Sequence, residues 1–251
     1  MPVDSVALAI PAYNEADGIE GFLRELDEEI SKHPTIEHIY YVIIDDTSSD
    51  DTVEVCRKLQ GQLNGRVIVE PNEVNLGHGP TVIRAYNHAI STGANWILQV
   101  DGDGQFEGVD VHRLFAEAEA GNDIVTGIRE TRFDPWYRTV VTKSLPVVLK
   151  LGFGVDRTDV NCPLRLYRTV VLEKILLAVP NNAVTPHVLM TVLEEKSGKP
   201  TKEIIVQHRP RRGDTETGTT WQKDKSIIIP SRLRKLLVTA VKQLAHFRST
   251  Y

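Results

Sequence analysis

Short β-branched apolar runs alternate with stretches of helical periodicity through the first half of this chain. Ser5–Ile10, His38–Ile44, Arg66–Glu70, Trp96–Val100 and Asp123–Gly127 read as strands. Between them, Gly18–Ser31, Asp51–Leu63, Pro80–Ser91 and Val109–Ala120 read as helices. In the first of these helices, Ile19, Phe22, Leu23, Leu26 and Ile30 recur at the spacing of one helical face. Pro80 suits a first helical position, where its missing N–H costs nothing. The alternation predicts βαβ units and an α/β fold on a mainly parallel, Rossmann-like sheet flanked by helices.

After Gly127 the rhythm changes. Pro135–Leu151 predicts an amphipathic helix with a cost at Pro146. Leu164–Arg168 and Glu203–His208 predict strands around helices at Thr169–Leu177 and Thr185–Ser197. From Trp221 to Tyr251 the chain carries seven Lys/Arg against one acid. Ile227–Ile229, Leu233, Leu236, Leu237, Val241 and Leu244 give that stretch an apolar stripe. The pattern divides the chain into a globular domain over 1–215 and a basic amphipathic helical tail over 216–251. Such a tail lies on an anionic membrane or packs on the domain or a second subunit, and the pattern leaves these open.

Composition narrows the class. With 251 residues, 41% hydrophobic and 25% charged, the chain can bury a sizeable core without staples. Its net charge of −5 argues against non-specific nucleic-acid binding. Two cysteines, Cys56 and Cys162, form no disulfide framework and point to a reducing compartment. Val3–Pro11 is too short and lacks the basic lead of a secretory signal. No run approaches the roughly 20 apolar residues of a membrane span. The expectation is a cytoplasmic protein, with membrane contact confined to the cytoplasmic surface.

The polar residues with chemistry to offer fall where the strands end, which is where open α/β sheets bind ligands. Pro11-Ala-Tyr-Asn-Glu15 follows the first strand, Asp45-Asp46-Thr-Ser-Ser-Asp-Asp51 the second and Asn75-Leu-Gly-His-Gly79 the third. Asp101-Gly-Asp103 follows the fourth. Two carboxylates one residue apart in a glycine turn can grip one divalent cation, and Gln105 could add an amide oxygen. The same spacing also makes an ordinary solvated acidic turn.

These segments, with Gly127-Ile-Arg129 and Cys162-Pro-Leu-Arg-Leu-Tyr167, resemble the family 2 glycosyltransferases with the GT-A fold. The nearest resemblance is to the polyprenyl-phosphate (dolichol-phosphate) mannosyltransferase-like branch, over residues 3–215. It implies a hexosyltransferase moving sugar from a nucleotide-sugar, GDP-mannose or a UDP-hexose, to a polyprenyl phosphate or another membrane-associated acceptor. A glycan hydroxyl acceptor is the alternative, and a non-catalytic nucleotide-sugar-binding protein another.

By the same resemblance, Pro11, Tyr13, Glu15 and Asp45 would line the base and ribose, with Asp46 and Gly79 among the substrate-binding residues. Asp101, Asp103 and Gln105 would hold Mg²⁺ or Mn²⁺ against the donor diphosphate. Arg129, Arg211, Arg212 and the pair Arg138/Thr142 would meet phosphate, which guanidinium forks fit bidentately. Asp159 would take a proton if the acceptor is a hydroxyl, whereas a lipid phosphate is already ionised near neutral pH. The tail would reach a membrane or a membrane protein. Three segments depart from the branch: Val160-Asn-Cys-Pro-Leu-Arg165, Gly77-His-Gly-Pro80 and Arg211-Arg-Gly-Asp-Thr215. They leave the donor side closer to the pattern than the acceptor side.

Overall fold

The computed structural model of this protein describes residues 2–130, 136–213 and 231–250; the side chains of 136–143, 231–237 and 249–250 are outside the description. Among the described residues, seven strands form one sheet in the order β3-β2-β1-β4-β6-β5-β7. They are β1 (Ser5–Ala12), β2 (His38–Asp45), β3 (Arg66–Pro71), β4 (Trp96–Gln99), β5 (Ile124–Arg129), β6 (Arg165–Arg168) and β7 (Thr201–Val206). All pairings are parallel except those of β6, which runs antiparallel to both β4 and β5. The mainly parallel sheet matches the sequence expectation. The antiparallel strand wedged between β4 and β5 has no sequence signal of direction.

Eight helices accompany the strands among the described residues: α1 (Ala16–Ser31), α2 (Thr52–Lys58), α3 (His78–Ser91), α4 (Asp110–Glu119), α5 (Trp136–Phe153), α6 (Thr169–Leu176), α7 (Pro186–Lys196) and α8 (Ser231–Thr250). Every residue of β1 is buried, and its alternation splits between two cores. Val6, Leu8 and Ile10 join Phe22 and Leu23 of α1 and Leu114 and Phe115 of α4. Ala7 and Ala9 face the other way, against Val82, Ala85 and Tyr86 of α3. A strand covered on both faces loses the in–out polarity of an edge sheet and reads as one apolar run, which is why its pattern was so plain.

Element boundaries moved where tertiary partners supplied what local sequence lacks. α1 starts at Ala16 rather than Gly18, and the N–H groups at its entry find side-chain oxygens on the loop after β2 and at the start of α2. Glu15 N donates to Thr52 Oγ1 at 2.8 Å and Ala16 N to Asp50 Oδ2 at 3.1 Å. α2 stops at Lys58, short of Leu63, and Gly61 follows with φ 75°. α3 enters through Gly77 at φ 84°, so Pro80 stands in its first turn but not first. α5 runs straight through Pro146.

The tail is partly placed. The 215/216 boundary and Ile227–Ile229 lie outside the described residues. α8 packs on the second core through Leu244 and Phe247, and Phe247 lies 6.4 Å from the Phe153 ring. Gln243 takes the N–H of Val184 at 3.0 Å and donates to Asn182 O at 2.9 Å. Val238 and Val241 remain exposed on its outer side. Of the arrangements the sequence left open for this helix, packing on the domain is the one found for its C-terminal half.

Candidate active site

The carboxyl ends of β1, β2 and β4 meet at one rim. Parallel pairing aligns Pro11 with Ile44 and Ala12 with Asp45. Gly102 N donates to Pro11 O at 3.2 Å, so the Asp101-Gly-Asp103 turn crosses directly over the end of β1. A Cβ at Gly102 would meet that same oxygen at 3.2 Å, so a larger residue would press on the end of β1.

Two turns here sit in left-handed backbone: Asn14 at φ 52° and Thr47 at φ 62°. For β-branched Thr47 that conformation is strained, and surrounding bonds must hold it. Asn14 Oδ1 accepts Ser49 N at 2.8 Å, and Asn14 N donates to Ser48 Oγ at 2.8 Å, so the loops lock to each other. Asp45, buried, accepts Ser48 N at 2.9 Å and the Ser48 hydroxyl. Tyr13 stays exposed at the mouth.

Asp46 points elsewhere. Its oxygens accept Asn72 Nδ2 at 2.7 Å, Leu76 N at 2.8 Å and Gly77 N at 2.9 Å. That set makes it a clamp on the 72–77 loop. Gly79 is likewise a packing position: a Cβ there would lie 2.1 Å from Ala183 O, so α3 abuts the 183–184 backbone.

Asp101 and Asp103 share the β4 turn. Gln99, buried at the end of β4, donates its amide to Asp101 Oδ1 at 2.9 Å, and Gln105 N donates to Asp103 Oδ1 at 3.2 Å. Burial, then the neighbouring Asp101 charge, pushes the Asp103 carboxyl up to about 6. A buried carboxyl raised by its carboxylate neighbour on one turn is what a divalent cation relieves, so the donor set fits Mg²⁺ or Mn²⁺. No three His, Cys, Asp or Glu side chains converge to hold a metal ion among the described residues. A cation on this turn would have the two carboxylates and the Gln105 amide oxygen as protein ligands. His78, at the start of α3, brings Nε2 to 3.9 Å from Asp101 Oδ2.

The arginine-rich segment after β7 lies along this turn. His208 bridges to Phe106, Arg209 N donates to Gln105 O at 2.9 Å and Arg212 N to Asp103 O at 3.0 Å. Arg211 reaches inward to Glu15 Oε1 at 2.6 Å. Burial pushes the Glu15 carboxyl up to about 9, Arg211 opposes this, and Asp103 and Asp101 add to it. Glu15 Oε2 is buried without a hydrogen-bond partner. Beside this pair lies a cavity of about 370 Å³ lined by Asn14, Glu15, Asp17, Asp50 and Arg212 among others. Arg212 itself turns away to Glu25, which also holds Arg209 at 2.9 Å. Glu25 was missed from sequence, since a glutamate on a helix carries no sign of what folds onto it.

Asp159 and Arg129, expected to act separately, are joined. Arg129 donates from Nε to Asp159 Oδ2 at 2.8 Å and from Nη2 to Asp159 Oδ1 at 3.0 Å. Arg138 and Thr142 lie on α5, but their side chains are outside the described residues.

The mainly parallel seven-stranded sheet carries a cavity after β1 and an acidic turn after β4 at one rim, and comparison with known proteins places it among GT-A-type α/β folds. The Glycosyl transferase family 2 profile matches residues 7–176, and the chain belongs to that family. It is 27% identical over 220 residues to the undecaprenyl-phosphate 4-deoxy-4-formamido-L-arabinose transferase of Edwardsiella ictaluri, covering 86% of this chain and 64% of that one. The Klebsiella pneumoniae protein of the same name is 28% identical over 217 residues, covering 86% and 63%. The chain thus spans somewhat under two thirds of these relatives. Among solved structures, mannosyl-3-phosphoglycerate synthase from Rubrobacter xylanophilus aligns with a TM-score of 0.66 at 17% identity, covering 99% of this chain and 76% of that one. Glucosyl-3-phosphoglycerate synthase from Mycobacterium tuberculosis, solved with Mn²⁺, UDP and phosphoglyceric acid, aligns with a TM-score of 0.65 at 13% identity, covering 98% and 78%. At such identities the structures speak for the fold.

Proposed function

We propose that this protein is a metal-dependent, inverting glycosyltransferase that moves a hexose from a nucleotide-sugar, GDP-mannose or a UDP-hexose, to a polyprenyl phosphate. The observation that carries the reading is the Asp101/Asp103 pair, poised over the end of β1 near Glu15 and the cavity that Glu15 lines with Asn14, Asp17 and Asp50. The relatives named for undecaprenyl phosphate support the acceptor class. The Mn²⁺ and UDP in the mycobacterial enzyme's structure support the donor side.

In this reading Asp101, Asp103 and Gln105 would hold Mg²⁺ or Mn²⁺, and the cation would supply Lewis-acid neutralisation of the diphosphate charge. Glu15 and Asp45 accept from the base and ribose, and Pro11 and Tyr13 wall the pocket. Arg211 sits where it can exchange Glu15 for a phosphate oxygen. The acceptor phosphate is its own nucleophile, since its second pKa is about 6. The bidentate Arg129 bond makes Asp159 a poor proton acceptor, which favours this acceptor over a sugar hydroxyl. Asp159 then serves to aim Arg129 at the incoming phosphate. Among the described residues no helix is long and apolar enough to cross a membrane. Contact with the cytoplasmic face of a bilayer, or with a membrane protein, would be peripheral and would use the exposed side of α8.

A thermal-shift panel of GDP, UDP, CDP and dTDP with Mn²⁺ tests the reading. One nucleotide should raise Tm, by the equivalent of about 2.7 kcal/mol at a hundredfold excess over Kd. The shift should vanish in Asp103→Ala. No shift with any nucleotide defeats the proposal.

A further inference from the structure

Beneath the Asp159 turn lies a buried side chain that the proposed chemistry does not use. Arg165, at the first position of β6, is 1% exposed, yet each of its guanidinium nitrogens is engaged. Nε donates to Cys162 O at 2.7 Å; Nη2 donates to Val160 O at 3.2 Å and Thr191 Oγ1 at 3.1 Å. Nη1 donates to Glu194 Oε1 at 2.7 Å and approaches Tyr167 OH at 3.4 Å. Arg129 Nη2 takes the carbonyl between, Asn161 O, at 3.1 Å. Three successive carbonyls, 160 to 162, are thus held alternately by two arginines, and the residue before them is Asp159.

The sheet register adds a second link. Antiparallel pairing sets Arg165 opposite Gln99 on one side and opposite Thr126 on the other. Gln99 is the residue whose amide holds Asp101 at 2.9 Å. One layer of the sheet therefore underlies both the acidic turn and the Asp159 turn.

Stability alone does not call for this arrangement. A buried ion pair can often be replaced by well-packed apolar side chains without loss. Here one oxygen of the partner, Glu194 Oε2, is buried without a hydrogen-bond partner. An apolar replacement could not bind two carbonyls two residues apart, and lysine, a point ammonium without the planar fork, could not hold both carbonyls together with Thr191 and Glu194 in this geometry.

We infer that Arg165 is a positioning residue: by fixing the Val160 and Cys162 carbonyls it sets the Asp159 carboxylate, and through it the Arg129 guanidinium, on the acceptor side of the site. The inference rests on the reading of Asp159 and Arg129 given above and adds what holds them in place.

A double-mutant cycle of Arg165→Lys and Asp159→Asn tests it. Turnover is measured on folded protein with undecaprenyl phosphate and either GDP-mannose or UDP-glucose, and binding with Mn²⁺·GDP and Mn²⁺·UDP. Arg165→Lys should lower kcat at least tenfold while the nucleotide Kd stays within twofold. The double variant should be no slower than Asp159→Asn alone, within threefold, because both substitutions break one chain of contacts. Losses that multiply, wild-type turnover in Arg165→Lys, or wild-type turnover in Asp159→Asn each overturn the inference. If Arg165→Lys does not fold, Thr191→Val enters the same cycle with an expected loss of at least threefold, judged by the same criterion. A wild-type protein that binds neither Mn²⁺·nucleotide defeats the proposed function and the inference together. Normal binding with multiplied losses defeats only the positioning role.

Discussion

Arg129 and Asp159 meet through two parallel hydrogen bonds, 2.8 and 3.0 Å long, with both side chains almost wholly withdrawn from water. They lie thirty positions apart in sequence, one at the end of β5 and the other in the turn before β6. A fork-to-fork pair of this kind fixes orientation as well as charge. It also means that altering either residue removes the other's bidentate partner at a largely buried position.

Asp159→Ala should therefore destabilise the protein by about 3–5 kcal/mol, the usual cost of stripping one partner from a buried ion pair. Urea unfolding followed by circular dichroism measures it. Arg129→Met combined with Asp159→Leu should cost less than either single change. A double variant as unstable as the sum of the singles would contradict the pairing.

The raised Asp103 carboxyl gives a pH dependence with a definite sign. Protonated Asp103 contributes stability below the ordinary carboxylate range, and that contribution is lost as pH rises through about 6. A cation must displace the proton, so its apparent affinity should fall about tenfold per pH unit well below 6. The Tm increase produced by Mn²⁺ should accordingly be larger at pH 7.5 than at pH 5. A pH-independent increase, or one that survives Asp103→Asn, would show that the ion binds elsewhere.

Gly79→Ala tests a different kind of constraint. Its added methyl would press on Ala183 O from 2.1 Å, a contact that requires backbone movement. Overpacking of this sort costs about 1–3 kcal/mol. Because α3 would be pushed from the 183–184 segment, His78 should shift relative to Asp101. Unchanged stability by chemical denaturation would mean that this contact is softer than the packing indicates.

Leu244 is buried where α8 meets the second core. Leu244→Ala should cost about 2–5 kcal/mol if the helix is integral to the domain. Limited proteolysis should then release the C-terminal segment earlier than in the wild type. Equal stability and equal cleavage rates would identify α8 as an appendage with its own role.

The clustering of polar residues at the strand ends was legible because each cluster is local. Asp101, Asp103 and Gln105 occupy one turn, and Pro11, Tyr13 and Glu15 another, so spacing alone brings them near each other at strand ends. The pairing of Arg129 with Asp159 was not. Sequence offered Arg129 and Asp159 as independent agents, and only the fold joined them. Arg211 and Arg212 looked alike as phosphate ligands, yet one turns in to Glu15 and the other out to Glu25. Asp46 resembled its neighbour Asp45 but serves the 72–77 loop. Such divergences between adjacent residues follow from which backbone N–H or guanidinium arrives from a distant segment.

What the chain determines unaided is therefore its periodicity: runs of apolar residues with period two and stripes with period 3.6, which burial converts into a layered sheet and helices. Turn chemistry at the strand ends adds the acidic rim. Tertiary structure alone decided that β6 enters antiparallel between β4 and β5, that α8's second half packs on the domain, and which charges pair. Strand direction and ion pairing depend on partners far away in sequence, and their energies exist only once the chain has closed around them.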